Sequence, residues 1–213
     1  MLLRRITAIL TTASLAAVAA LAAAPAQAHE HRLGTRSLAT VLAADGGGFD
    51  RTRGDFDILD NAVRAVLAAK PDSPVAVLAD GRKRLTAFAP TDGAFRRLVT
   101  DLTGKRYPRE KRVFTELAGL VGIDTVETVL LYHVVPGSVI TNRQARKANG
   151  AVLQTALEDA TVKVRVRPGG RVFLVDADRN DANPRLKPSL RDLNKGNRQI
   201  AHGISQVLRP ADL

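Results

Sequence analysis

From Asp55 onward the apolar residues Ile58, Leu59, Ala62, Val63, Val66 and Leu67 return every three or four positions, the spacing of one buried helical stripe. Asp55, Asp57 and Asp60 crowd its start, where the helix dipole favours negative charge, and Pro71 and Pro74 bound its end. A shorter helix is predicted from Ser37 to Ala44, ended by Gly46-Gly47-Gly48. Leu85-Thr86-Ala87-Phe88-Ala89 predicts a buried strand that stops at Pro90. Thr91 or Asp92 is placed to cap the next helix, which carries Ala94, Phe95, Leu98 and Val99, because a side-chain oxygen there satisfies an orphan amide of the first turn. Helical periodicity resumes over 110–121. A further helix starts at Asp124, spaced from Glu127 as in a capping box, and runs through Leu131 until Pro136-Gly137 ends it.

The period then changes from about 3.6 to two. Val162, Val164 and Val166 alternate with Lys163, Arg165 and Arg167, the pattern of a strand with one buried face. Pro168-Gly169-Gly170 turns the chain into a returning strand, Arg171 to Val175. Residues 177–197 are polar and predict a long surface loop, and the apolar stretch from Gln199 to Leu208 closes the domain. Helices first and strands later, without regular alternation, predict an α+β fold.

The first residues change the compartment. Arg4-Arg5, an alanine-rich apolar run to Ala24 and the small residues Ala26 and Ala28 have the layout of a secretory signal peptide, so residues 1–28 are set aside from the fold. An uncleaved membrane anchor is the alternative, since a span needs about 20 apolar residues. Residues 29–36 are expected to be loose, with one domain over 37–213. Without residues 1–28, 30 basic residues stand against 21 acidic ones, a net charge of +9. There is no cysteine, hence no disulfide scaffold, and about 185 residues suffice for a core that needs none.

Three segments, in order and in register, resemble the fasciclin-like family. Leu85 to Phe95 is similar to its opening box, Leu130-Leu131-Tyr132-His133-Val134-Val135-Pro136-Gly137 to its tyrosine-histidine motif, and Ile200 to Pro210 to its closing box. The resemblance covers roughly residues 37–210. It implies a wedge of β-strands with several packed helices, used for adhesion and extracellular binding without a general catalytic site. Thr91, Asp92, Tyr132, His133 and His202 are the motif residues it offers as a binding set. Ser205, where an aspartate is common, and Arg198-Gln199, where Asn-Gly is common, depart from the pattern.

The chemistry is sparse. Tyr132 and His133 near the end of an apolar helix, and His202 on an apolar strand, have the plain reading of packed side chains satisfied by backbone partners. A hydrolase needs a nucleophile, a base and an orienting acid, and the chain has no Gly-x-Ser-x-Gly, no cysteine and no His-Glu-x-x-His. Lys163, Arg165 and Arg167 share one side of a strand about 7 Å apart, a stripe suited to an anionic polymer through salt-dependent charge. Its plain alternatives are a solvated face or a charged edge that discourages pairing. Asp176, Asp178 and Asn180 begin like a calcium loop, but Asp181 replaces the glycine and Lys187 the closing glutamate, so a polar loop is the reading. Cleavage after Ala28 exposes His29-Glu30-His31, and a histidine third from a free amine wraps copper or nickel in a square plane.

The expectation is a secreted, non-catalytic fasciclin-like domain recognising a cell-surface or cell-wall polymer or an extracellular protein. A copper- or nickel-binding protein using His29 and His31 is the alternative, and an extracellular hydrolase the third reading. Export and 4% aromatic residues argue against nucleic acid, and no segment after residue 28 is apolar enough for stable membrane insertion. The oligomeric state is open.

Overall fold

Ser37 starts the first helix by accepting from the Thr40 amide, and α1 (Leu38–Leu42) tightens into a 3-10 turn at Ala43–Asp45. The computed structural model describes residues 33–45 and 48–211. The segment expected to be loose before Ser37 is pinned where it is described. Gly34 bridges Asn197, and the Arg36 amide donates to the Asn197 side chain.

Helix α2 (Asp57–Ala69) buries the predicted stripe, with Ile58, Leu59, Ala62, Val63 and Val66 all under a tenth exposed. A 3-10 turn at Pro74–Leu78, not foreseen in the sequence, leads to β1 (Leu85–Pro90) and α3 (Asp92–Thr103). The two helices expected over 110–131 are both present within Glu110–Tyr132, labelled together α4, and meet at a kink at Gly122. Gly122 takes φ 75° and ψ 166°, a backbone shape essentially reserved for glycine. Asp124 and Glu127 do not make the expected capping box; their carboxylates reach back to Lys70 beyond α2, and Glu127 also takes the Ser73 hydroxyl at 2.5 Å.

Three short elements were not predicted: β2 (Val134–Pro136), α5 (Asn142–Ala145) and β3 (Val152–Gln154). The predicted hairpin is β4 (Thr161–Arg167) and β5 (Arg171–Val175), and β6 (Gln199–Ile204) ends the set. The described strands form two three-stranded sheets, β2-β1-β6 and β3-β4-β5. β1 pairs antiparallel with β2 and parallel with β6, while the second sheet is antiparallel throughout.

The first sheet lies between two cores, which explains why β1 and β6 are buried at every position. Leu85, Ala87 and Ala89 face the helices with Val66, Val99 and Val113. Phe88 and Ile204 pack with Tyr132, Val162, Val164, Val172 and Leu174 toward the second sheet.

Polar residues hold this frame from inside. Gln199 is fully buried; its carbonyl accepts from the Leu38 amide at 2.7 Å, and its amide donates to Val77 and Asp80 carbonyls at 2.8 and 2.9 Å. Thr91 takes the N-cap position of α3 as expected, but neither its side chain nor that of the fully buried Asp92 makes the expected bond to that helix. The Asp92 Oδ1 instead accepts from the Ile58 amide in the first turn of α2, at 3.1 Å. Burial, then the charges of Glu110, Asp55 and Asp57, push its carboxyl up to about 8 against the pull of that amide.

Replacing Gln199 by leucine leaves the buried Leu38 amide without a partner and takes a donor from the Val77 and Asp80 carbonyls, of which Asp80 still accepts from the Lys83 amide; an orphaned buried group costs about 1–3 kcal/mol. The expected loss is at least about 2 kcal/mol, read from urea unfolding. A loss below half of that would show the three bonds to be dispensable.

Asp92 also predicts a pH dependence. Its folded value lies above its unfolded one, so the stability it contributes is complete below pH 4 and is lost as pH rises toward 8. His133, lowered by burial to about 4, contributes stability that is complete above pH 6.5 and is lost as pH falls. The two slopes oppose each other up to pH 6.5, above which the His133 contribution is complete while that of Asp92 still falls. The protein should lose roughly 1–2 kcal/mol between pH 6.5 and 8, and Asp92→Asn, which keeps an acceptor for Ile58, should lose much less. Parallel slopes for the two proteins would refute the assignment.

Candidate functional site

The motif residues named in the sequence are brought close to the first sheet, and all are interior. Tyr132 is 1% exposed; its hydroxyl donates to the Thr161 carbonyl at 2.9 Å, and burial, with the charge of Asp176, pushes its phenol up to about 12. His133 follows the last residue of α4, with Nδ1 donating to the Val129 carbonyl at 2.7 Å and Nε2 accepting from the Leu208 amide at 2.9 Å. His202 mirrors it: Nε2 donates to the Ile140 carbonyl at 2.7 Å, Nδ1 accepts from the Asp192 amide at 3.2 Å, and the ring stacks on Phe88. Burial lowers both imidazoles, and a neutral tautomer with one donor and one acceptor satisfies each ring. These side chains staple strands, helix ends and loops together, the plain reading weighed for them in the sequence.

Lys163, Arg165 and Arg167 are exposed together on β4, as their alternation predicts. β4 is the central strand of its sheet, so the charged-edge alternative does not apply. The register places further residues on the same face: Val152 opposite Lys163 from β3, and Phe173 and Arg171 opposite Arg165 and Arg167 from β5. Arg185 follows beyond Phe173 through a single bridge. The Arg167 guanidinium lies 4.5 Å from the centre of the Phe173 ring. Among the described residues none of these five cations has a carboxylate within ion-pair distance.

The loop that resembles the start of a calcium site is organised by an arginine. Arg209, 5% exposed, meets Asp178 at 3.1 Å, Asp101 at 2.5 Å and Asp181 at 3.6 Å, while its amide donates to Asp176. The guanidinium supplies the positive charge that these carboxylates surround. His29 and His31 lie outside the described residues.

One feature the sequence did not reveal is a groove of about 1250 Å³ over α3. Arg53, Arg96, Arg97, Arg106, Lys187 and Arg209 line it against two carboxylates, Asp101 and Asp181. Its residues come from positions 53 to 209, so no local pattern marks it. A basic excess of 30 over 21 was the only available signal, and that has no address on the surface.

Among the described residues no helix is long and apolar enough to cross a membrane. Comparison with curated proteins finds no match. Among solved structures the chain is similar to a FAS1 domain pair from the insect cell adhesion molecule fasciclin I, at 16% identity and TM-score 0.49. That match covers 75% of this chain and 48% of the other, so the chain spans about half the length of that structure. The fasciclin domain model matches residues 59–210, which include the opening, tyrosine-histidine and closing segments described above. The chain belongs to the fasciclin domain family, with the α+β architecture of helices on small sheets.

Proposed function

We propose that this fasciclin domain is an exported, non-catalytic binding module that holds an anionic polymer of the cell surface or cell wall along the exposed face of β3-β4-β5. Fasciclin domains are in general extracellular or cell-surface adhesion domains, and export here rests on the reading of residues 1–28. The observation that carries the choice of partner is the unpaired basic face. Lys163, Arg165 and Arg167 stand about 7 Å apart along β4, and Arg171 and Arg185 widen the stripe across the strands.

A row of cations without carboxylate partners on a sheet is a poor device for stability, because like charges repel. It is a good device for a repeating anion. The strand fixes the spacing, and the Arg167 guanidinium lies over the Phe173 ring. An extracellular protein with an acidic face would meet the same surface, but a linear polymer matches its one-dimensional spacing better.

The full mature chain should be retained on isolated anionic cell-wall polymer at low salt and less so at physiological salt, where screening acts beyond about 8 Å. Replacing Lys163, Arg165 and Arg167 together by glutamine should weaken retention about tenfold or more and flatten its salt dependence, with an unchanged melting temperature. Retention equal to that of the unaltered protein, or none by either protein, would overturn the reading.

A further inference from the structure

We propose that the groove over α3 is a second, independent binding site, built for a phosphate-type tetrahedral oxyanion held by Arg53, Arg97 and Lys187. The three side chains come from separate parts of the chain: the loop before α2, the exposed side of α3, and the strap that precedes β6. Their backbones are fixed. The Gly93 amide donates to the Arg53 carbonyl at 3.0 Å, where a side chain at position 93 would crowd the loop. The Lys187 amide donates to the Gly203 carbonyl of β6 at 2.8 Å. Arg97 is anchored through its own head: Nε donates to the Ser205 carbonyl at 3.0 Å, and Nη2 reaches the same oxygen. Position 205 contributes a carbonyl but no carboxylate, so the guanidinium is positioned without being neutralised.

Neutralisation is also missing elsewhere in the groove. Both lining carboxylates, Asp101 and Asp181, are taken up by Arg209, and Arg96 is spent on the buried Glu110 at 2.9 Å. Arg53, Arg97 and Lys187 have no carboxylate within ion-pair distance among the described residues. They feel one another instead. Burial and the Arg53 charge lower Arg97, and burial and the Arg97 charge lower Lys187, offset in part by the charge of Asp55. Mutual repulsion among partly desolvated cations is relieved by an anion between them. Beneath them the Thr91 hydroxyl is wholly buried at the groove wall with no hydrogen-bond partner.

Two guanidinium groups and an ammonium supplied by three separate segments of one groove suit a tetrahedral oxyanion better than a planar carboxylate. The groove is far larger than one such group, so the phosphate is either free or carried on a larger chain.

The test is calorimetric titration of the full mature chain at low salt with inorganic phosphate in one arm and a glycerol-phosphate polymer in the other. Saturable binding in either arm is expected, weakened about tenfold or more by Arg53→Gln and by Lys187→Gln, whose side chains make no hydrogen bond that the fold would lose. Arg97→Gln should match them if it folds. Lys195→Gln, at an exposed lysine outside both the groove and the sheet face, should leave phosphate binding unchanged, which separates this site from general surface charge. Tighter binding of the polymer per phosphate identifies a carried phosphate, and equal binding a free one. No saturation in either arm, the same response to chloride, or full binding by both Arg53→Gln and Lys187→Gln would overturn the proposal.

Discussion

The parallel pairing of β1 with β6 places the two most buried strands of the molecule side by side, far apart in sequence and out of reach of water. Every polar group there needs a partner within the protein, since an orphaned one costs about 1–3 kcal/mol. Thr86 finds its partners in the Ser138 carbonyl and the Ile140 amide, and His202 in the Ile140 carbonyl and the Asp192 amide. Gln199 reaches α1 and the 3-10 turn at Pro74–Leu78. The partners lie in loops, so these strands position the loops as well as the core. The polar stretch 177–197, irregular for most of its length, is tied down by bridges from Leu186 to Ile204 and from Leu193 to Ala201.

That ordering decides where charge resides. Acidic groups are drawn inward: Asp57, Asp60, Asp92, Glu110, Asp176 and Asp178 are all under a tenth exposed. Asp60, Glu110 and Asp178 meet an arginine, and Asp92 and Asp176 a backbone amide. Arg96 and Arg209 are consumed inside by this arrangement, and the basic excess is left on the surface. With no buried partner to constrain them, those cations are available to a ligand.

The fold was legible where burial leaves a period in the sequence. The stripe of α2 and the alternation of β4 each answer to a single environment, so spacing alone predicts them. β2, α5 and β3 escaped because three or four residues hold too little of any period, and pairing with distant strands forms them. The capping roles of Asp92 and Asp124 were misread for a related reason. Local spacing offers each a partner one turn away, whereas the fold brings a better one from another element: the Ile58 amide for Asp92 and the Lys70 ammonium for Asp124. The basic face was visible because one strand carries it. The groove was not, because its unpaired cations Arg53, Arg97, Arg106 and Lys187 come from separate segments, more than 130 positions apart at the extremes.

Sheet face and groove are not remote from each other. Arg185, which extends the sheet face past Phe173, donates its amide to the Ser205 hydroxyl at 2.9 Å, and the Ser205 carbonyl holds Arg97 at the groove. One residue, just past the end of the buried strand β6, therefore joins the two unpaired basic regions through its own two oxygens. An aspartate at that position would bring a carboxylate to Arg97 and compete for its charge. Serine completes the same backbone path while leaving both surfaces positive. If both proposals hold, an anionic chain lying along β4 and past Arg185 approaches the segment that anchors Arg97 at the groove. Two modest sites so linked would gain affinity from effective concentration, without any further contact between protein and polymer.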